Sequence, residues 1–108
     1  MTALTTPRLT EELREQMHRL YRRLHASPEL SMQEHATAEL IEQELTDLGV
    51  EHFRCGGTGV VGVLRNGDGP VVAFRADTDG LPLAEDTGLD YASTATGHLE
   101  DGTAVPVM

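Results

Sequence analysis

The apolar residues of this chain change their spacing once, at Gly49, and the change fixes which elements each half can form. Before it, Leu9, Leu13, Met17, Leu20 and Leu24 recur every three or four positions, which stacks them on one face of a 3.6-residue helix. Two starts are open for this helix: Thr6 before Pro7, or Thr10 before Glu11 and Glu12. Glu11, Glu12 and Glu15 lie near the positive end of its dipole and Arg19, Arg22 and Arg23 near the negative end. Ser27-Pro28 stops it, because proline disfavours helical geometry in the residue before it. Pro28-Glu29-Leu30-Ser31 then reads as a helix–helix connection. Ser31 followed three residues later by Glu34 has the form of a capping box for a second helix. Ala36, Leu40, Ile41, Leu45 and Leu48 supply its apolar stripe, and Gly49 is its left-handed C-cap.

After Gly49 the pattern turns to strands. Residues 50–54 and 59–64 form two short ones, with Gly56-Gly57 between them as a turn. Asn66-Gly67-Asp68-Gly69-Pro70 is a dense turn signal, and residues 71–76 form a third run, apolar enough to be buried on both faces. The second and third runs are expected to pair as a hairpin. Two helices followed by strands of a central sheet make the fold class α/β, with the helices packed on the sheet. From residue 78 to the end the pattern dissolves into Gly, Asp, Thr and Ala. So long an irregular stretch is unusual in a compact domain. It is either a loop region covering a site or part of a larger body.

A length of 108 residues leaves room for one small domain. The net charge of −10 argues against a nucleic-acid or anionic-membrane partner, whose phosphates this field would repel. Every cation is arginine, so lysine chemistry is excluded. The one cysteine, Cys55, precludes an internal disulfide and a multi-cysteine zinc site, and nothing near it would activate the thiol. Met1 to Arg8 contain no apolar core of signal-peptide length, and a cytoplasmic location is the expectation. Two Tyr, two Phe and no Trp make a thin supply for a self-sufficient core.

The most pointed cluster is Arg75-Ala76-Asp77-Thr78-Asp79-Gly80-Leu81-Pro82. A buried strand ending in two carboxylates is how sheet-based enzymes present acids at a strand terminus. Two such groups can bind a divalent cation, or one can orient a metal-bound imidazole. Asp-x-Asp-Gly also makes an ordinary Asx-type turn. A calcium loop is excluded, because the twelfth position from Asp77 is Gly88 and not glutamate. His18, His25, His35, His52 and His98 are dispersed, none with a second His or Cys at chelating spacing, and each reads as a surface or half-buried residue. No phosphate-binding glycine loop and no Gly-x-Ser-x-Gly elbow is present.

Taken in order, several segments carry a resemblance. They are Leu24-His25-x-x-Pro28-Glu29-Leu30-Ser31-x-x-Glu34, then Gly57-Thr58-Gly59-Val60-Val61-Gly62, then Arg75-Ala76-Asp77-x-Asp79-x-Leu81-Pro82-x-x-Glu85, then Gly88-Leu89-x-Tyr91-Ala92-Ser93. Together they resemble the M20 metallopeptidases, in the amidohydrolase branch that includes hippurate, N-acyl-amino-acid and auxin-conjugate hydrolases. The resemblance implies a catalytic α/β sandwich of which residues 1–108 are the N-terminal portion, a smaller lid domain, and a homodimer. It implies a pair of divalent metals (zinc, manganese or cobalt) and a small-molecule N-acyl amino acid substrate, with no nucleic acid or membrane partner. Asp79 matches the aspartate that orients the metal centre. Asp77 matches the position where other branches carry a metal-binding histidine, a role that passes in this branch to a cysteine further along.

The branch continues beyond the segment matching Val105-Pro106-Val107-Met108 into a His-x-Cys-Gly-His-Asp motif that supplies ligands. This chain has none of that motif, so no residue here is assigned as a metal ligand or cofactor contact. The chain is expected to be inactive as it stands. Gly80, where the branch usually shows Ala, is expected only to loosen its turn. The alternative is a non-catalytic acidic interaction domain, or a gene remnant, derived from the same fold. That reading predicts cooperative folding, whereas a fragment would leave strand edges exposed.

Overall fold

A computed structural model describes residues 6–108, so the first five residues of the Met1 to Arg8 segment lie outside the described part. Helix α1 spans Glu11–Ala26. Thr10 is its N-cap, the hydroxyl accepting the Leu13 N–H at 3.1 Å, which decides between the two possible starts. Ser27 closes the helix by donating its N–H to the Leu24 carbonyl at 3.3 Å, directly before Pro28. No residue of α1 is buried, and Leu9, Leu13 and Met17 stay exposed along the predicted stripe.

Helix α2 spans His35–Asp47, and its start differs from the capping box expected at Ser31 and Glu34. Glu34 is the N-cap residue but its side chain does not cap; its buried carboxylate instead accepts the Thr58 hydroxyl at 2.7 Å. The cap comes from Glu29. Its carboxylate accepts the Ala36 N–H at 3.1 Å, the Thr37 N–H at 2.6 Å and the Thr37 hydroxyl at 2.7 Å. A turn closed by the Gln33 N–H on the Leu30 carbonyl, with Met32 at φ 65°, curls the connection so that Glu29 returns over the helix start. At the other end Gly49 (φ 70°) donates to Thr46 and Val50 to Leu45. This is the paired Schellman closure that a left-handed glycine permits.

Strands β1 (Glu51–Cys55) and β2 (Gly59–Val63) form an antiparallel pair with Glu51 opposite Val63 and Cys55 opposite Gly59. Gly56 and Gly57, both at positive φ, make the turn between them. Helix α2 lies against this hairpin, where Gly62 leaves space that Leu45 and Val50 occupy. Residues 71–76 do not form the third strand. They have no ladder partner, and Val71, Val72 and Phe74 are exposed at 97%, 88% and 94%. An open groove lined by Val61, Val63, Val72 and Phe74 separates them from β2, so the expected hairpin between the second and third runs is absent. The reason is turn chemistry: the short glycine turn reverses the chain between β1 and β2, whereas the longer stretch 64–70 carries it away unpaired.

The segment expected to be irregular contains a second hairpin. Strands β3 (Thr96–His98) and β4 (Ala104–Pro106) pair antiparallel, and Gly102 at φ 86° serves the turn. Around them, extended pieces from distant parts of the chain lie side by side. Gly80 donates to the Glu29 carbonyl at 2.7 Å, Leu81 and Met108 exchange two bonds at 2.6 and 2.9 Å, and Val107 donates to Ala95 at 3.0 Å. Leu30, Ala38 and Val107 are the buried apolar residues among those described.

Gly80 is not merely a loose turn. It is buried, and a Cβ there would lie 2.9 Å from both Pro28 Cβ and Val107 Cγ1. The glycine permits close approach of two backbone segments. The body is drawn out to 59 × 32 × 23 Å, with a radius of gyration of 17.2 Å. A compact chain of this length would show about 13 Å.

Candidate functional site

Asp77 and Asp79 lie where the unpaired run 71–76 gives way to the packed segment at Gly80. They are therefore held at a boundary, with solvent on one side and the Leu30–Val107 cluster on the other. Asp77 is exposed; its Oδ1 accepts the Thr78 N–H at 3.1 Å and sits 3.7 Å from the Arg75 guanidinium. Both partners of that ion pair are exposed, so it contributes little. Asp79 is half-buried. The neighbouring Asp77 carboxyl, together with burial, raises its pKa above the ordinary value.

The pair opens into a pocket of about 380 Å³ between α1, α2 and residues 77–81. Tyr21, His25 and Ile41 form the helix side of its wall, and Met108 the far end. A cavity of this volume, largely apolar with a few convergent polar groups, has the make-up of a small-molecule site. The donor set is short of a metal site. Among the described residues no group of three His, Cys, Asp or Glu side chains stands close enough to hold an ion. Two carboxyls do not by themselves supply the ligands that a divalent pair needs.

The histidines divide by environment. His18, His35 and His98 are exposed. His52 is half-buried, its Nδ1 at 2.9 Å from the Val50 carbonyl, and His98 offers its backbone carbonyl to Gln33 at 3.0 Å. His25 faces the pocket wall and its Nε2 lies 2.8 Å from Glu85 Oε1. This contact links residues sixty positions apart, and no local spacing could have announced it. Cys55 is free and exposed at the end of β1. No described helix is long and apolar enough to cross a membrane.

No protein-family model matches the chain. It is 40% identical over 84 residues to the hippurate hydrolase of Campylobacter jejuni, covering 76% of this chain and 22% of that protein. It is 36% identical over 84 residues to an IAA-amino acid hydrolase of Arabidopsis thaliana, covering 77% of this chain and 19% of the relative. Its fold matches the Bacillus subtilis YXEP protein, a dinuclear metal binding peptidase from the M20 family, with a TM-score of 0.73 and 36% identity. That match covers 80% of this chain and 25% of the neighbour. The chain therefore spans about a quarter or less of the length of the proteins it matches.

Proposed function

Because the chain belongs to the M20 family of metal-dependent hydrolases, we propose that it supplies the first part of a catalytic domain that cleaves the amide bond of N-acyl or N-aroyl amino acids. The observation that carries this reading is the carboxyl pair Asp77–Asp79 at the mouth of an apolar pocket, in a chain similar to hydrolases named for such substrates. An apolar wall of Tyr21, Leu24 and Ile41 suits an acyl or aroyl group.

The family's metal pair would supply a Lewis acid and an activated water when bound. Among the described residues no set of ligands for it stands together, and on this reading the ligands come from the part of the relatives that this chain does not match. The role left to Asp79 is to accept a hydrogen bond from a ligand beside it and fix that ligand's orientation. Asp77, as the neighbouring carboxyl, holds the Asp79 pKa above its ordinary value. On this reading residues 1–108 are inactive alone, and lid, homodimer and a cytoplasmic setting belong to the complete protein.

Two measurements test this. Calorimetric titration of the chain with zinc is expected to show no tight stoichiometric uptake and no release of glycine from N-benzoylglycine; tight uptake with turnover overturns the assignment of the ligands. A chimera carrying this chain in place of the matching segment of the Campylobacter hippurate hydrolase is expected to hydrolyse N-benzoylglycine. Asp79→Ala in that chimera should then lower activity by about 10–100-fold, as losses beside metal sites do. Unchanged turnover in the variant removes Asp79 from the site.

A further inference from the structure

We propose that His25 and Glu85 are a positioning pair for Asp79, locking the segment that follows Asp79 to the end of α1 and so setting how the Asp79 carboxyl sits in the pocket. The proposal rests on the reading of Asp79 as a site residue. Three donors converge on the Glu85 side chain, which has 0% exposure: His25 Nε2 at 2.8 Å, the Ser93 N–H at 2.9 Å, and the Thr87 hydroxyl. The His25 ring is itself held, stacked on Tyr21 (6.0 Å, 27°) and edge-on to Tyr91 (5.4 Å, 81°). Arg22 lies over the Tyr91 ring at 5.4 Å. The imidazole thus has little freedom to follow a carboxylate that moves.

From Glu85 the contacts lead back to Asp79 without a gap. Ser93, whose amide is bound by Glu85, donates its hydroxyl to the Val107 carbonyl at 2.6 Å. The next residue, Met108, exchanges two backbone hydrogen bonds with Leu81, and Gly80 between Leu81 and Asp79 donates to Glu29. Asp79 is therefore the last residue before a segment anchored on both sides, and His25–Glu85 ties that segment to the helix that also lines the pocket. The Ser93 amide, the Thr87 hydroxyl and His25, outweighing burial, lower the Glu85 pKa to about 2, so the carboxylate keeps its charge across the working range. A buried carboxylate stripped of its donors would protonate or move to solvent, and either change would release the loop.

The full chain, labelled for NMR, provides the test. In Glu85→Ala the Gly80 and Leu81 amides should exchange at least tenfold faster, and the titration midpoint of the Asp79 carboxyl should fall towards the ordinary range as its contact with Asp77 opens. The Gly49 and Val50 amides at the end of α2 should keep their rates. Glu85→Gln, which retains an oxygen for the Ser93 amide, should restore most of the protection at Gly80 and Leu81. His25→Phe should reproduce the effect on Gly80, Leu81 and Asp79. Faster exchange at Ser93 alone, with Gly80, Leu81 and the Asp79 midpoint unchanged, would overturn the proposal and leave the pair as a staple of its own loop. Should Glu85→Ala lose protection throughout, including Gly49 and Val50, the other two variants decide on the same readouts, and wild-type behaviour in both overturns it. None of these readouts depends on turnover, so failure of the hydrolase reading would appear separately, in the chimera.

Discussion

Replacing Glu29 by alanine should unravel the start of α2. The carboxylate serves the Ala36 and Thr37 amides, the second and third residues of the helix, and also the hydroxyl of the buried Thr37. These are the two amides that a side-chain N-cap would satisfy, and Glu34, which stands at the N-cap position, has its carboxylate turned to Thr58. Loss of an N-cap costs about 0.5–2 kcal/mol, and hydrogen bonds to a charged group lie at about 1.5–3 kcal/mol each before any rearrangement. With solvent available to the amides, about 2 kcal/mol is the expected cost. At about 1.4 kcal/mol per tenfold, this corresponds to roughly 30-fold faster amide exchange at Ala36 and Thr37. Glu29→Gln keeps one acceptor and should lie between. Burial raises the Glu29 pKa, but the Thr37 side chain, the Thr37 and Ala36 amides and His35 outweigh it, so the net shift is downward. A lowered carboxylate pKa contributes stability above its unfolded value and loses it as pH falls through the folded value. The difference between Glu29→Gln and the native chain should therefore shrink on acidification. Exchange at Ala36 and Thr37 within threefold of the native rate at neutral pH would refute the reasoning.

Asp79→Asn should stabilise the chain at neutral pH and leave it unchanged in acid. The Asp79 pKa is raised on folding, so the folded state binds more protons and stability falls as pH rises from the unfolded to the folded value. Urea midpoints measured on both sides of that window check this; an equal shift in both would show that charge is not the cause. Gly80→Ala should cost about 1–3 kcal/mol, as overpacking does, because Pro28 and Val107 leave no room for a methyl group. An unchanged urea midpoint would mean that these neighbours yield freely.

What could be read from the sequence was the part governed by neighbours in the chain. The stripe from Leu9 to Leu24, the stop at Pro28, the left-handed Gly49 and the glycine turn between β1 and β2 all depend on contacts within a few residues, and periodicity reports these. The Glu29 cap is not legible in the sequence because Ser31 and Glu34 satisfy the usual spacing, while the turn at Met32 brings an earlier carboxylate to the helix start. Val71, Val72 and Phe74 have strand composition, but composition carries no information about whether a partner strand lies beside them. The short β3 and β4 were hidden in a Gly- and Thr-rich stretch with no apolar alternation. At the candidate site, the two carboxyls stand two positions apart and can be read directly from the sequence. The His25–Glu85 contact cannot, because only the folded path brings those positions together.

The unpaired run at residues 71–76 also has a consequence for how the protein must be handled. During synthesis at about 5–20 residues per second, the helices and the β1–β2 hairpin can form from sequence already released, whereas Gly80, Leu81 and Glu85 find their partners only after the chain has returned. During that interval, and in the folded chain as well, Val71, Val72 and Phe74 present unpaired backbone and apolar side chains together, with no charge between them and Arg75. Two nascent or purified chains meeting there would find ready-made strand partners in each other. Yield should therefore depend steeply on concentration and temperature during expression, and a charge introduced at Val72 should act as a gatekeeper against that self-pairing.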